Sequence, residues 1–296
     1  MPGVNCISGL PSKSSIKLAR LMSVQRFPAE SGFRRDKRHG FALVELLVII
    51  VALGLLAAIL FPLQARSRVK ARSAQCAGNL RQLAMAQALY ARDCGRSFPY
   101  TADQNLWLGM LISYQGKVEE SRVCPEANQP STRSVYSSQY TYGSGDSMWK
   151  WASQRTNYQG SYAFNGWLYS GDYLVSGLPN NPAWKYPRES SVAQPVKTPL
   201  FGDAMWVDGW PQEIEGPARD LYNGNANTSM GRWTIARHMI SSPMHAPTGI
   251  SSSSSLPGGI NLAFMDGHAS QVSLSNLWSF NWHQGWVSPA RLPDPQ

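Results

Sequence analysis

Three groups of residues in this chain could do chemistry. The first is Gly40-Phe41-Ala42-Leu43-Val44-Glu45, where a carboxylate stands inside an apolar run. From Phe41 to Leu63 there are 23 residues and one charge, Glu45. A charge within such a span costs on the order of 2–3 kcal/mol near its centre and less near an end, so Glu45 calls for a function and a partner. The second group is Cys76, Cys94 and Cys124, which remain if the segment holding Cys6 is removed. In an exported domain they could form one disulfide and leave one thiol over. The third is His238, Asp266 and His268, with Asp203 as a fourth candidate, residue types that hold a metal or move a proton. Asp266-Gly267 is also a turn signal, and imidazoles serve as hydrogen-bonding staples. Turn chemistry alone accounts for Asp-Gly, so the structural reading is preferred and no metal or cofactor is assigned. No Gly-x-Ser-x-Gly, His-Glu-x-x-His, phosphate loop or Cys-x-x-Cys is present, and the chain is not read as an enzyme.

The elements that must carry these residues follow from periodicity. A helix over Phe41–Leu63 is about 34 Å long, enough to cross a bilayer core of about 30 Å. The run is too long for the 7–15 apolar residues of a cleaved signal peptide, and a plain membrane anchor leaves Glu45 unexplained. Of the 27 Lys and Arg, eight lie in residues 1–40 with two of the 18 acids, so this segment carries +6 of the net +9. A basic segment before a span places that segment in the cytoplasm and the remainder outside. Arg66, Arg68, Lys70 and Arg72, just past the span, weaken that asymmetry, and a nucleic-acid site there is not preferred. From Ala65 to Arg92 good helix formers continue, and Val69, Cys76, Leu80, Leu83, Gln87 and Tyr90 share one face. Asp93-Cys94-Gly95 and Pro99 end the helix. Gly54 and Pro62 are the candidate bends, giving a rod over 41–92 about 75 Å long. If Cys76 and Cys94 share that helix they stand about 27 Å apart, beyond bridging, which makes Cys124 the common partner.

Residues 95–235 lack helical periodicity, and frequent Gly, Pro, Asn and Ser between short aromatic runs predict short strands and long loops. All 11 Trp and 11 of the 12 Tyr lie after residue 99. They could stack on polysaccharide, although core and loop packing is the preferred reading. Near the end, Ile260–Met265, Asp266-Gly267 and His268–Leu274 predict a β-hairpin with a type I′ turn. Ile260, Leu262 and Phe264 share one face, with Val272 and Leu274 beside them.

A basic segment, Gly40-Phe41, then an apolar helix with Glu at its fifth residue resembles a type IV prepilin or type II secretion pseudopilin. The resemblance implies cleavage after Gly40 by a prepilin peptidase, N-methylation of Phe41, and pairing of Glu45 with the Phe41 amine of a neighbouring subunit. Ala42 stands where such proteins commonly have Thr. The chain is also similar to pilin-like proteins with an H-X9-DG processing-associated domain (DUF1559). The matching residues are Cys76, Asn79, Leu80, Gln82, Tyr90, Ala91 and Asp93, then Cys124-Pro125, Ser161–Asn165, Pro199–Asp203, and Arg237-His238 with Asn261–His268. The pattern departs in one place: 27 residues, not nine, separate His238 from Asp266, through an insert rich in Ser, Pro and Gly. This resemblance favours a Cys76–Cys124 disulfide, while Cys94–Cys124 would close the shorter loop.

The expected protein is therefore α+β and pilin-like, a long N-terminal helix packed on an antiparallel β-sheet head with long loops. Residues 1–40 form the leader, which would shorten if translation starts at Met22 in place of Met1. Residues 41–93 form the helix, with 41–63 in the membrane, and 94–296 form the head. The chain would sit in the inner membrane by a single pass, leader cytoplasmic and head periplasmic or at the cell surface. Its partners would be the peptidase, other pilin or pseudopilin subunits and the membrane, with no nucleic acid. The alternative function is a membrane-anchored surface module that binds polysaccharide through the aromatic-rich head.

Overall fold

A helix-forming run without an internal break produces the first element. A computed structural model of the protein describes residues 43–101, 106–114, 120–131, 133–134, 140–152, 157–171, 181–252 and 255–296. The leader, Gly40 and Phe41 lie outside the described residues. Helix α1 spans Leu43–Cys94 and passes through Gly54 and Pro62. Gly95 stops it in the left-handed conformation that glycine adopts freely, at φ +68°. Cys76 and Cys94 thus share one helix, as expected.

The described residues divide into two units between Leu53 and Gly54. In the first, every described side chain is exposed, Leu43 at 83% and Val48 at 61%. Among the described residues no helix is long and apolar enough to cross a membrane. The expected span 41–63 begins with two residues outside the description, and its side chains at 59–63 lie outside it too.

In the second unit the expected face of α1 is the buried one. Cys76, Leu80, Leu83, Gln87 and Tyr90 are buried, Val69 is half-buried, and Ser73 continues the stripe. This face covers one side of a five-stranded sheet with strand order β10-β9-β7-β6-β8. Its strands are β6 (Tyr162–Asn165), β7 (Pro199–Asp203), β8 (Asp208–Gly209), β9 (Gly259–Phe264) and β10 (Ala269–Ser273). Alternation along the strands sends Tyr162, Phe164 and Ala263 toward α1, with Trp107 and Phe201 in the same cluster. It sends Ala163, Ile260, Leu262 and Phe264 the other way, against Val272, Leu274, Trp233, Trp278 and Trp282. Loops and short helical turns form that second layer, so β9 is buried on both faces. Gly202 lets the layers close, because a Cβ there would stand 2.3 Å from Leu262 and 3.0 Å from the Trp233 ring.

A second five-stranded sheet is built from β1 (Gln129–Pro130), β2 (Arg133–Ser134), β3 (Thr141–Tyr142), β4 (Ser147–Ala152) and β5 (Asn157–Gly160). Two short helices, α2 (Leu106–Met110) and α3 (Ser229–Trp233), interrupt the loops. Two expectations are corrected. The sheets are mixed, since β1 pairs β4 and β6 pairs β8 in parallel. Those strands are brought in by long loops and not by hairpins, which frees their direction. The β9–β10 turn is not type I′, which needs positive φ at both central residues; only Gly267 has it, at +88°. Met265 and Asp266 instead form a turn closed from Gly267 N–H to Phe264 O at 2.9 Å, and Gly267 follows in the left-handed region.

Candidate functional site

Four segments bring chemistry-bearing side chains together under α1. Cys76 comes from the buried face of that helix. Cys124 follows a short 3-10 turn at Glu120–Arg122, and its N–H donates to Ser161 Oγ at 2.6 Å. Asp203 ends β7, opposite Tyr162 of β6. His238 is pinned to the start of β9 by paired backbone bonds with Gly259, at 2.8 and 2.7 Å. The side chains of Cys76, Cys124 and Asp203 are fully buried and His238 is 1% exposed.

The four groups converge closely. Cys124 Sγ is 3.3 Å from His238 Nε2, and that nitrogen is 3.2 Å from Asp203 Oδ2. Cys76 Sγ lies 3.5 Å from both Asp203 oxygens. One donor atom from each residue lies within 4.8 Å of all the others. Around them, Arg237 Nη1 donates to Asp203 Oδ1 at 2.9 Å, and the Asn261 N–H donates to Oδ2 at 2.8 Å. The Tyr162 hydroxyl donates to Cys76 Sγ at 3.3 Å. Ser73 and Asn261 bond side chain to side chain and cap the cluster toward α1. An open groove of about 770 Å3, lined by Lys70, Ala77, Met239 and Gln271 among others, runs beside this cap.

The electrostatics follow from burial and mutual charge. Burial alone would raise the Asp203 pKa, but His238 and Arg237 hold the carboxyl well below the usual range. Burial would lower His238, but Asp203 and Cys124 raise it to about 10. Burial and the hydrogen bond with Cys124 push the Cys76 thiol up. For Cys124, burial raises the pKa, and the Cys76 hydrogen bond with the His238 charge outweighs it, to about 7.

This arrangement does not match a nucleophilic triad. In a triad the acid orients the imidazole through the nitrogen opposite the nucleophile. Here thiol and carboxylate both meet Nε2, while Nδ1 is buried with no hydrogen-bond partner among the described residues. The site is also closed to a substrate.

The sequence-expected residues divide. His238 enters the cluster, together with the fourth candidate Asp203. Asp266 and His268 do not, so the structure does not bring the candidate trio together. His238 sits at the start of β9 and Asp266 beyond its end, so the whole strand, about 16 Å long, lies between them. Asp266 instead caps its own turn, bonding the His268 N–H at 3.1 Å and His268 Nδ1 at 2.6 Å. Cys76 and Cys124 are both free thiols facing the same cluster, and Cys94 is exposed at the end of α1. Glu45 lies in the first turn of α1. Ser73, Tyr162, Arg237 and Asn261 were not among the expected site residues, although the last three fall in segments that carry the resemblance, Ser161–Asn165, Arg237-His238 and Asn261–His268; for Ser73 the one signal was its place three residues before Cys76. The tryptophans prove to be interior, eight of the 11 buried and three half-buried, so none is exposed as a stacking surface.

No curated protein and no solved structure matches the chain. Residues 35–61 match the family model described as the prokaryotic N-terminal methylation motif. The chain thus carries a prepilin-type signal across the junction of its basic segment and its apolar helix, the feature of a pilin-like chain made to be processed and anchored.

Proposed function

We propose that this protein is a pilin-like subunit that a prepilin peptidase cleaves between Gly40 and Phe41, with N-methylation of Phe41. It then assembles in or near a type II secretion pseudopilus or a type IV pilus. Residues 41–63 hold it in the inner membrane, with the leader cytoplasmic and the head outside. The observation that carries this reading is the methylation motif over residues 35–61, which includes the Gly40–Phe41 junction and Glu45. The exposed apolar side chains of residues 43–56 support it, because a helix apolar on every face needs lipid or protein around it. Glu45 supplies the register: opposite charges attract strongly in low dielectric, and the new amine of a neighbouring Phe41 would pair with its carboxylate. Gly54 and Pro62 are the places where the helix would yield as subunits pack.

The test is intact mass and N-terminal sequencing of protein from host membranes. The expected chain starts at N-methyl-Phe41. A chain retaining residues before Gly40 would replace this reading with a plain signal anchor. In the processed protein, Glu45→Val should leave cleavage intact and abolish cross-linking between neighbouring subunits. Wild-type levels of cross-linking would remove the assigned role of Glu45.

A further inference from the structure

We propose that Cys76, Cys124, Asp203 and His238 bind one zinc ion in a closed tetrahedral site that fastens α1 to the head. Zinc with ligand distances of about 2.3 Å to sulfur and 2.0–2.1 Å to nitrogen and oxygen requires sulfur to stand about 3.5 Å from N or O, and N about 3.3 Å from O. The corresponding separations are 3.3 Å for Cys124 Sγ to His238 Nε2, 3.5 Å for Cys76 Sγ to Asp203 Oδ2, and 3.2 Å for Nε2 to Oδ2. Three edges of the required tetrahedron are therefore present, and all four donors lie within 4.8 Å of one another.

The surroundings fit the same ligand. A metal-bound carboxylate is steadied through hydrogen bonds, and Asp203 has one from Asn261 to Oδ2 and one from Arg237 to Oδ1. Tyr162 donates to Cys76 Sγ, as a donor beside a thiolate should. Charge closes as well: two thiolates and one carboxylate are balanced by a dication and the Arg237 guanidinium. Nε2 is the nitrogen facing the other donors. Binding displaces to solvent the protons that the two thiols and His238 Nε2 carry, and no electron moves.

Two thiolates, one imidazole and one carboxylate in a tetrahedron favour zinc over the harder cations, which prefer oxygen and higher coordination. All four positions are protein ligands and all are buried, so no site remains for substrate and the ion is structural. Its ligands are separated by 48, 79 and 35 residues along the chain, and the ion would tie α1 to the Cys124 turn, the end of β7 and the His238 bridge.

The experiment is elemental analysis of the full chain, purified in detergent, dialysed against zinc and then desalted. It is independent of whether Phe41 is methylated, so its failure and that of the pilin reading are separable. The expected result is about one zinc per chain. Cobalt in its place should give the visible absorption of a tetrahedral thiolate site. Cys94, exposed, should react with a thiol reagent, while Cys76 and Cys124 react only after chelation and unfolding. Cys76→Ser and Asp203→Asn should lose the metal, and Cys94→Ser should keep it. Wild-type protein that retains no stoichiometric zinc and takes up no cobalt would overturn the proposal. So would a Cys76–Cys124 disulfide in the peptide map of the isolated protein. Both readouts use the wild-type chain and stand even if a ligand variant fails to fold.

Discussion

Arg237 shows what a single buried charge does here. Its guanidinium pairs with Asp203 and donates to the carbonyls of Ser144, Gly145, Ser161 and Ala204, joining a loop to the ends of two strands. Removing one partner of a buried pair leaves the other uncompensated, at about 3–5 kcal/mol. Arg237→Met should cost that much in denaturant unfolding, and an effect below about 1 kcal/mol would contradict the arrangement. Asp208 gives the opposite sign. Burial raises its pKa to about 6 despite Arg232 at 3.6 Å and the Tyr169 hydroxyl. Because the folded pKa exceeds the unfolded value, the folded state holds the proton more tightly. Its contribution to stability is present below pH 3.8 and lost as pH rises through about 6. Unfolding at pH 4 to 7 should show wild type losing about 2–3 kcal/mol relative to Asp208→Asn across that window. Parallel curves for the two proteins would refute the assignment.

At the scale of the element, α1 is two helices in one. Its first part is apolar on every side, and its second has a stripe only on the face that meets the sheet. Leu83 is fully buried and Met85, two residues on, is 64% exposed. Leu83→Ala should destabilise by about 2–5 kcal/mol, and Met85→Ala should stay within about 0.5 kcal/mol. Equal effects in thermal or denaturant melts would mean that the stripe does not pack as described. The stripe was legible in the sequence because Leu80, Leu83 and Tyr90 recur at helical spacing. Ser73 was not, because a polar residue on an apolar face gives no periodic signal until Asn261 arrives to bond it.

At the scale of the whole molecule, the second half of α1 is a layer of the head and not a stalk beneath it. Cys76, Leu80 and Leu83 belong to the same cluster as Trp107, Tyr162 and Phe201. A fragment beginning at residue 95 would expose that side of the sheet. Residues 64–296 should unfold cooperatively by circular dichroism, whereas 95–296 should lack a cooperative transition. A cooperative 95–296 would show that the strands and loops suffice alone. The tryptophans belong to this scale too. Trp233, Trp278, Trp282 and Trp286 fill the space between the sheet and the loops behind it, and the other seven pack in the cluster on the side that α1 covers.

Local composition determined the N-terminal part of this protein by itself. Charge, Gly40-Phe41 and the apolar run are contiguous, so their meaning does not wait on folding. The β9–β10 hairpin was legible for the same reason, since Asp266-Gly267 marks a turn wherever it falls, although the turn type depended on which residue took positive φ. The cluster was decided only by tertiary structure. Its four residues come from a helix, a turn, a strand end and a bridge, spread over 162 positions from Cys76 to His238. No period links them, and His238 joined Asp203 in place of Asp266 because the sheet sets its start beside one and its far end beside the other. Long-range proximity is written in strand order, which the sequence carries only through the packing of the whole chain.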